Sequence, residues 1–171
     1  ISFTVFSEET KLPQNTKLSI VLPAYNEAGV VGSVVGKLCR AFPYAEILVV
    51  DDSSTDETAA EAESSGARVI SHKYNMGNGA AIKTGARHAK GEILVFMDAD
   101  GQHSAEDVER LLEKIESGYE LVIGARASDT QASSGRWFGN NLLNKLASLL
   151  TGHKIPDLTS GFRAVRSESF R

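Results

Sequence analysis

The sequence predicts an α/β protein whose mostly parallel sheet carries helices on both faces, three layers in all. Three observations lead there. Short apolar runs and stretches of helical periodicity alternate along the 171-residue chain. The runs LSIVL, EILVV and EILVFM lack polar alternation, so they read as strands buried on both faces. Each is followed by turn or capping residues and then a helical pattern, an order that imposes crossovers and parallel pairing.

Residues 1–16 read as an N-terminal arm, and residues 17–171 as one domain. Leu18 to Leu22 is the first strand. Apolar residues at Val30, Val31, Val34, Val35 and Leu38 then predict a helix, with Asn26 as N-cap and Pro43 beyond its end. Glu46 to Val50 is the second strand. The Ser54-Thr55-Asp56-Glu57 capping pattern opens a helix that ends near Gly66. Arg68 to Ser71 is a weaker third strand, and Ala-rich 77–89 a helix closed by Gly91. Glu92 to Met97 is the fourth strand. Ser104 and Asp107 cap a helix with a stripe at Val108, Leu111, Leu112 and Ile115. Glu120 to Ile123 is the fifth strand. Leucines from 142 to 150 mark an amphipathic helix over 135–151, and one more strand falls between Asp157 and Val165.

Composition narrows the functions. A hydrophobic fraction of 42% with 23% charged residues is that of a globular chain. The single cysteine, Cys39, cannot close an internal disulfide and reads as a small core residue. No apolar run is long enough to span a bilayer, and no signal peptide is visible. A net charge of −4 argues against nucleic acid as partner. The charge is uneven: residues 1–125 hold 11 Lys+Arg and 19 Asp+Glu (net −8), and residues 126–171 hold 7 and 3 (net +4). A basic C-terminal part on an acidic body points to an anion at that end.

In a parallel sheet, ligands bind beyond the carboxyl ends of the strands. Those ends carry, in order, Pro23-Ala24-Tyr25-Asn26-Glu27, Asp51-Asp52-Ser53-Ser54, Tyr74 to Gly79, Asp98-Ala99-Asp100-Gly101-Gln102-His103, and Gly124-Ala125-Arg126. Plain turns do not need carboxylates, an aromatic, a carboxamide and an arginine, so one shared site is expected on that edge. Asp98 and Asp100 at a strand end can face one cation. Their hard oxygens suit Mg²⁺ or Mn²⁺, with Gln102 a further oxygen donor and His103 a possible nitrogen. His72, His88 and His153 read as solvated, and Lys83 as exposed. The dinucleotide fingerprint fails, because Gly77-Asn78-Gly79 follows the third strand and has Ile82 at the third glycine. A phosphate loop of the G-x-x-x-x-G-K-[ST] type is absent, so a metal rather than a glycine loop is expected to hold phosphates.

The ordered set PAYNE (23–27), VVDDSSTD (49–56), GNGAAIKTGARHAKG (77–91), MDADGQH (97–103), IGAR (123–126) and DLTSGFR (157–163) resembles glycosyltransferase family 2, whose members have the Rossmann-like GT-A fold. Within it the chain looks most like the dolichyl- and polyprenyl-phosphate sugar synthases. The resemblance implies a nucleotide-sugar donor of the GDP-mannose or UDP-glucose type, Mg²⁺ or Mn²⁺, a polyprenyl or dolichyl phosphate acceptor, and inversion at the anomeric carbon. It places Pro23, Tyr25 and Glu27 around the nucleotide and Val50 and Asp52 at the base. Asp98, Ala99 and Asp100 hold the diphosphate through the metal, with Gln102 as a further ligand. Arg126, Arg136 and Arg163 face the acceptor phosphate and reacting centre; Asp157 reads from its place in the motif as orienting Arg126 or the acceptor, with a structural cap as the alternative. The resemblance also implies a cytoplasmic site at the inner face of a membrane. Helix 135–151, with Trp137 and Phe138, reads as packed on the sheet, with contact to the membrane surface as the alternative. The alternative is transfer to a sugar hydroxyl in polysaccharide synthesis, although Ser133 stands where a processive synthase has Gln three residues before Arg136-Trp137. Family members continue past the GFR motif, which reads this chain as C-terminally truncated.

Overall fold

The computed structural model describes residues 2–7, 17–125 and 161–170. Strands β1 (Ser2–Ser7), β2 (Leu18–Ala24), β3 (Glu46–Asp51), β4 (Arg68–Ser71), β5 (Ile93–Phe96), β6 (Tyr119–Ala125) and β7 (Arg163–Arg166) form one sheet in the order β1-β6-β7-β5-β2-β3-β4. β2 pairs in parallel with β3 and β5, and β3 with β4. β7 is antiparallel to both β5 and β6, so β6 runs with the parallel group and only β7 and β1 oppose it. Five predicted strands thus lie where the apolar runs put them. The sixth, expected between Asp157 and Val165, is β7, inserted between two strands rather than added at the end.

Burial on both faces explains the uninterrupted apolar runs. Ile20, Leu22, Val49, Val95 and Met97 face one side and pack with α1 (Val31–Ala41) and α4 (Ala105–Glu116). Val21, Leu48, Val50, Leu94 and Phe96 face the other, against α3 (Asn78–His88). Helix α2 (Thr58–Ser64) adds Ala62 to the first layer, and the short α5 (Ser167–Phe170) sets Phe170 5.2 Å from the Phe96 ring. These are the three expected layers.

Two helix starts differ from expectation. α1 begins at Val31 with no side-chain cap; Asn26 instead sits in the left-handed region (φ 54°), which an asparagine tolerates. α2 begins at Thr58 without a capping box, because Ser54 Oγ accepts the Asn26 N–H of the neighbouring loop. The Ser104–Asp107 capping box is formed as predicted. Ser2–Ser7, within the expected arm, is an edge strand on β6. The helix expected over 135–151 lies outside the described residues.

Candidate active site

Parallel pairing brings the ends of β2, β3, β4 and β5 to one edge of the sheet. The loop after β2 is held by the one after β3 and by α2: Ser54 Oγ accepts from Asn26 N, Thr58 Oγ1 from Glu27 N and Glu61 Oε2 from Gly29 N, at 2.7–2.9 Å. Asn26 Oδ1 in turn accepts from Thr55 N at 2.9 Å. These bonds satisfy the backbone of a bend that Asn26 and Ser53, both at positive φ, would otherwise resist. Tyr25 is presented at 47% exposure beside Glu27.

Asp52 is buried at 3% exposure. Its Oδ1 accepts from Met76 N (2.8 Å) and His72 Nδ1 (2.7 Å), and its Oδ2 from Gly77 N (2.6 Å). Burial alone would raise this carboxyl; the Met76 N–H, the His72 ring and the Gly77 N–H outweigh it and hold the group below its ordinary value. His72 is a correction to the sequence reading, which left it in solvent: its side chain is 8% exposed, between Asp52 and Thr84 Oγ1 (2.9 Å).

β5 ends at Phe96, and past Met97 the chain turns through Asp98, Ala99 and Asp100 to Gly101 at φ 77°. Asp100 Oδ1 accepts the Gln102 N–H at 3.0 Å. A methyl group on Gly161 would lie 3.0 Å from Asp98 Oδ1, so the glycine ahead of β7 leaves room for that carboxylate. Burial first, then the charges of Asp100, Asp56 and Asp98, raise the Glu27 carboxyl above its ordinary value. Glu27, Asp98 and Asp100 therefore concentrate negative potential in one place.

These loops enclose a cleft of about 210 Å³. Of the residues predicted for the nucleotide sugar and metal, Pro23, Tyr25, Glu27, Asp52, Asp98, Ala99 and Asp100 line it. Val50 does not: its side chain is fully buried in the core beneath α3, because it lies within β3 rather than past its end. Gln102 is exposed and outside the lining; its backbone, not its amide, meets Asp100. Arg163 is on β7 with its guanidinium 5.7 Å from the centre of the Phe96 ring, and its pKa is lowered by burial, against which the Asp98 charge acts. His103 stacks on Phe162 at 4.1 Å and is not part of the lining. Arg126, Arg136 and Asp157 lie outside the described residues. Asn78 and Ala81, which single-residue reasoning missed, bring the N-terminus of α3 to the cleft; the GNGAA run after the third strand carried that signal.

Hard oxygens at Asp98 and Asp100 fit Mg²⁺ or Mn²⁺ in kind. Among the described residues no group of three or more His, Cys, Asp or Glu is placed to hold a metal. Among the described residues the two carboxylates are the donors, which suits an ion that completes its shell with phosphate oxygens and water.

The glycosyl transferase family 2 model matches residues 19–171, and the chain belongs to that family. It is 33% identical over 162 residues to the polyprenol monophosphomannose synthase of Mycolicibacterium smegmatis, covering 87% of this chain and 61% of that protein. It is 32% identical over 164 residues to an undecaprenyl-phosphate 4-deoxy-4-formamido-L-arabinose transferase of Klebsiella pneumoniae, covering 90% and 50%. The UDP complex of glucosyl-3-phosphoglycerate synthase from Mycobacterium tuberculosis superposes with a TM-score of 0.74 at 27% identity, over 90% of this chain and 57% of that one; another complex of that enzyme also holds Mn²⁺. The architecture is the GT-A fold of family 2 glycosyl transferases, and the relatives include enzymes named as an undecaprenyl-phosphate sugar transferase and a polyprenol monophosphomannose synthase. The chain spans about half to two-thirds of the length of the curated relatives it matches.

Proposed function

We propose that the chain carries the donor site of an inverting, metal-dependent glycosyltransferase that moves a hexose from a nucleotide sugar to a polyprenyl phosphate at the inner face of a membrane. The observation that supports this most is the meeting of Asp98 and Asp100 with Tyr25, Glu27 and Asp52 in one cleft. Asp98 and Asp100 would hold a divalent ion, which when bound neutralises charge on the departing diphosphate. The Asp100 carboxylate is fixed by the Gln102 backbone, and Asp98 has its room from Gly161. Asn78 and Ala81 set the N-terminus of α3, with its positive dipole end, beside the same diphosphate. Tyr25 offers a flat face for the base.

In the transfer, an acceptor phosphate oxygen forms a bond to the anomeric carbon from the side opposite the donor diphosphate. The carbon–oxygen bond to that diphosphate breaks, and the nucleoside diphosphate leaves with the bonding pair. The acceptor is already an anion at neutral pH, so no side chain need take a proton from it, whereas a hydroxyl acceptor would need a positioned base. Cations must instead bring two anions together. Arg163 is the described candidate; Arg126 and Arg136, with Asp157, are proposed for the same task from the sequence.

The second reading, transfer to a hydroxyl, has support from the glucosyl-3-phosphoglycerate synthase, which is seen with phosphoglyceric acid. Radiolabelled sugar transfer from GDP-mannose and UDP-glucose to polyprenyl phosphate, to phosphoglyceric acid and to free sugars decides between them. Label in the organic phase supports the lipid acceptor; label only in water-soluble product contradicts it.

A further inference from the structure

We infer that His72 and Thr84 are positioning residues for nucleobase recognition, fixing Asp52 so that one carboxylate lone pair is left to accept a ring N–H of the base. The inference rests on the donor-site reading above. An ionised carboxylate offers about four lone-pair sites. Met76 N and His72 Nδ1 fill both on Oδ1, and Gly77 N fills one on Oδ2. Asp52 lines the cleft, so the remaining Oδ2 site is the polar feature it presents to a ligand.

The chain of bonds also fixes a tautomer. A carboxylate only accepts, so the proton of His72 is on Nδ1, 2.7 Å from Asp52 Oδ1. In the neutral ring, Nε2 then accepts the Thr84 hydroxyl proton at 2.9 Å. Thr84 lies on the second turn of α3, the helix whose N-terminus reaches the cleft, so α3 both approaches the ligand and orients the carboxylate through the ring. His72 itself does not line the cleft and acts only through Asp52. A lone acceptor suits bases with a ring N–H, uracil or guanine. Cytosine and adenine present a ring acceptor there, which an anion repels.

The test uses the full chain with Mn²⁺ and measures dissociation constants for UDP, GDP, CDP, ADP and inorganic pyrophosphate. The wild type is expected to prefer UDP or GDP over CDP and ADP by about tenfold or more, the value of a hydrogen bond to a charged group. His72→Leu is expected to lose about tenfold for the preferred nucleotide and most of the discrimination, with pyrophosphate unchanged. His72→Asn, whose amide nitrogen replaces Nδ1, restores most of both. Thr84→Val, of similar shape without the hydroxyl, weakens discrimination several-fold. Wild-type discrimination in His72→Leu, or parallel loss of pyrophosphate, overturns the inference; so does failure of His72→Asn to rescue. If His72→Leu does not fold, Thr84→Val decides, and full discrimination there overturns it. A wild type that binds pyrophosphate but no nucleoside diphosphate overturns the donor-site reading and this inference together, a result distinct from a loss confined to the variants.

Discussion

At the residue scale, the carboxylates of this chain divide into two kinds. Asp98, Asp100 and Glu27 face one another across a cleft, and burial with mutual repulsion raises Glu27. Such an arrangement costs stability unless a cation joins it. Asp100→Asn keeps the shape and the Gln102 contact but removes a hard charged donor; it should lower kcat about 100-fold or more, measured by sugar transfer, with the fold intact by circular dichroism. Glu46 is of the other kind. Burial would raise it, but hydrogen bonds from Ser19 (2.6 Å), the Lys90 backbone (2.9 Å) and Arg68 (2.9 Å) outweigh that and hold it below 4.5. A folded-state pKa below the unfolded one stabilises the fold at every pH above the unfolded value, and that gain fades as pH falls through the folded value. Glu46→Gln should therefore cost about 1–2 kcal/mol at pH 7 by urea unfolding, with the difference from wild type shrinking below pH 4.5. Nucleotide binding should not change, since Glu46 sits at the opposite end of β3 from Asp51.

At the element scale, α3 depends on the close approach of Gly85 to the sheet. A methyl group there would lie 2.2 Å from Val21 Cγ1 and 3.2 Å from Val50 Cγ2, inside a core that has no slack. Gly85→Ala improves local helix propensity yet should destabilise the protein by about 2–3 kcal/mol, read from urea unfolding, because overpacking outweighs propensity. It should also weaken nucleotide binding, since Asn78 and Ala81 move with the helix. Long apolar runs announced β2, β3 and β5 in the sequence, and a local capping box announced α4, because each of those signals is contained within its own segment. Asn26 and Ser54 misled for the opposite reason: both are cap-type residues, but Ser54 Oγ accepts from Asn26 N and Asn26 Oδ1 from Thr55 N, across two loops 28 and 29 residues apart. Helical patterning could not show that.

At the scale of the whole molecule, the site was legible because a parallel sheet collects strand ends. Tyr25, Asp52, Asp98 and Asp100 are scattered over some 75 residues yet share one cleft for that reason alone. His72 was not legible. Its partner Asp52 is 20 residues away and reaches it only through β3–β4 pairing, in which Asp51 stands opposite Ser71. The edge strand Ser2–Ser7 was also missed, since its six residues are too few for periodicity to separate a strand from an arm. Among the described residues no helix is long and apolar enough to cross a membrane, and the +4 charge of residues 126–171 stands as the sequence's own pointer to an anionic acceptor.

In the proposed donor site Asp98 and Asp100 bind the diphosphate through a divalent ion. Thermal unfolding of the full chain with GDP, UDP and their sugar conjugates, each with and without Mn²⁺, tests it most directly. At about 100 times its dissociation constant, a ligand that binds only the folded chain adds about 2.7 kcal/mol, a shift of several degrees for a domain of this size. That shift is expected with Mn²⁺, is lost when the ion is chelated, and shows no Mn²⁺ dependence in Asp98→Asn. Equal shifts with and without the ion would contradict it.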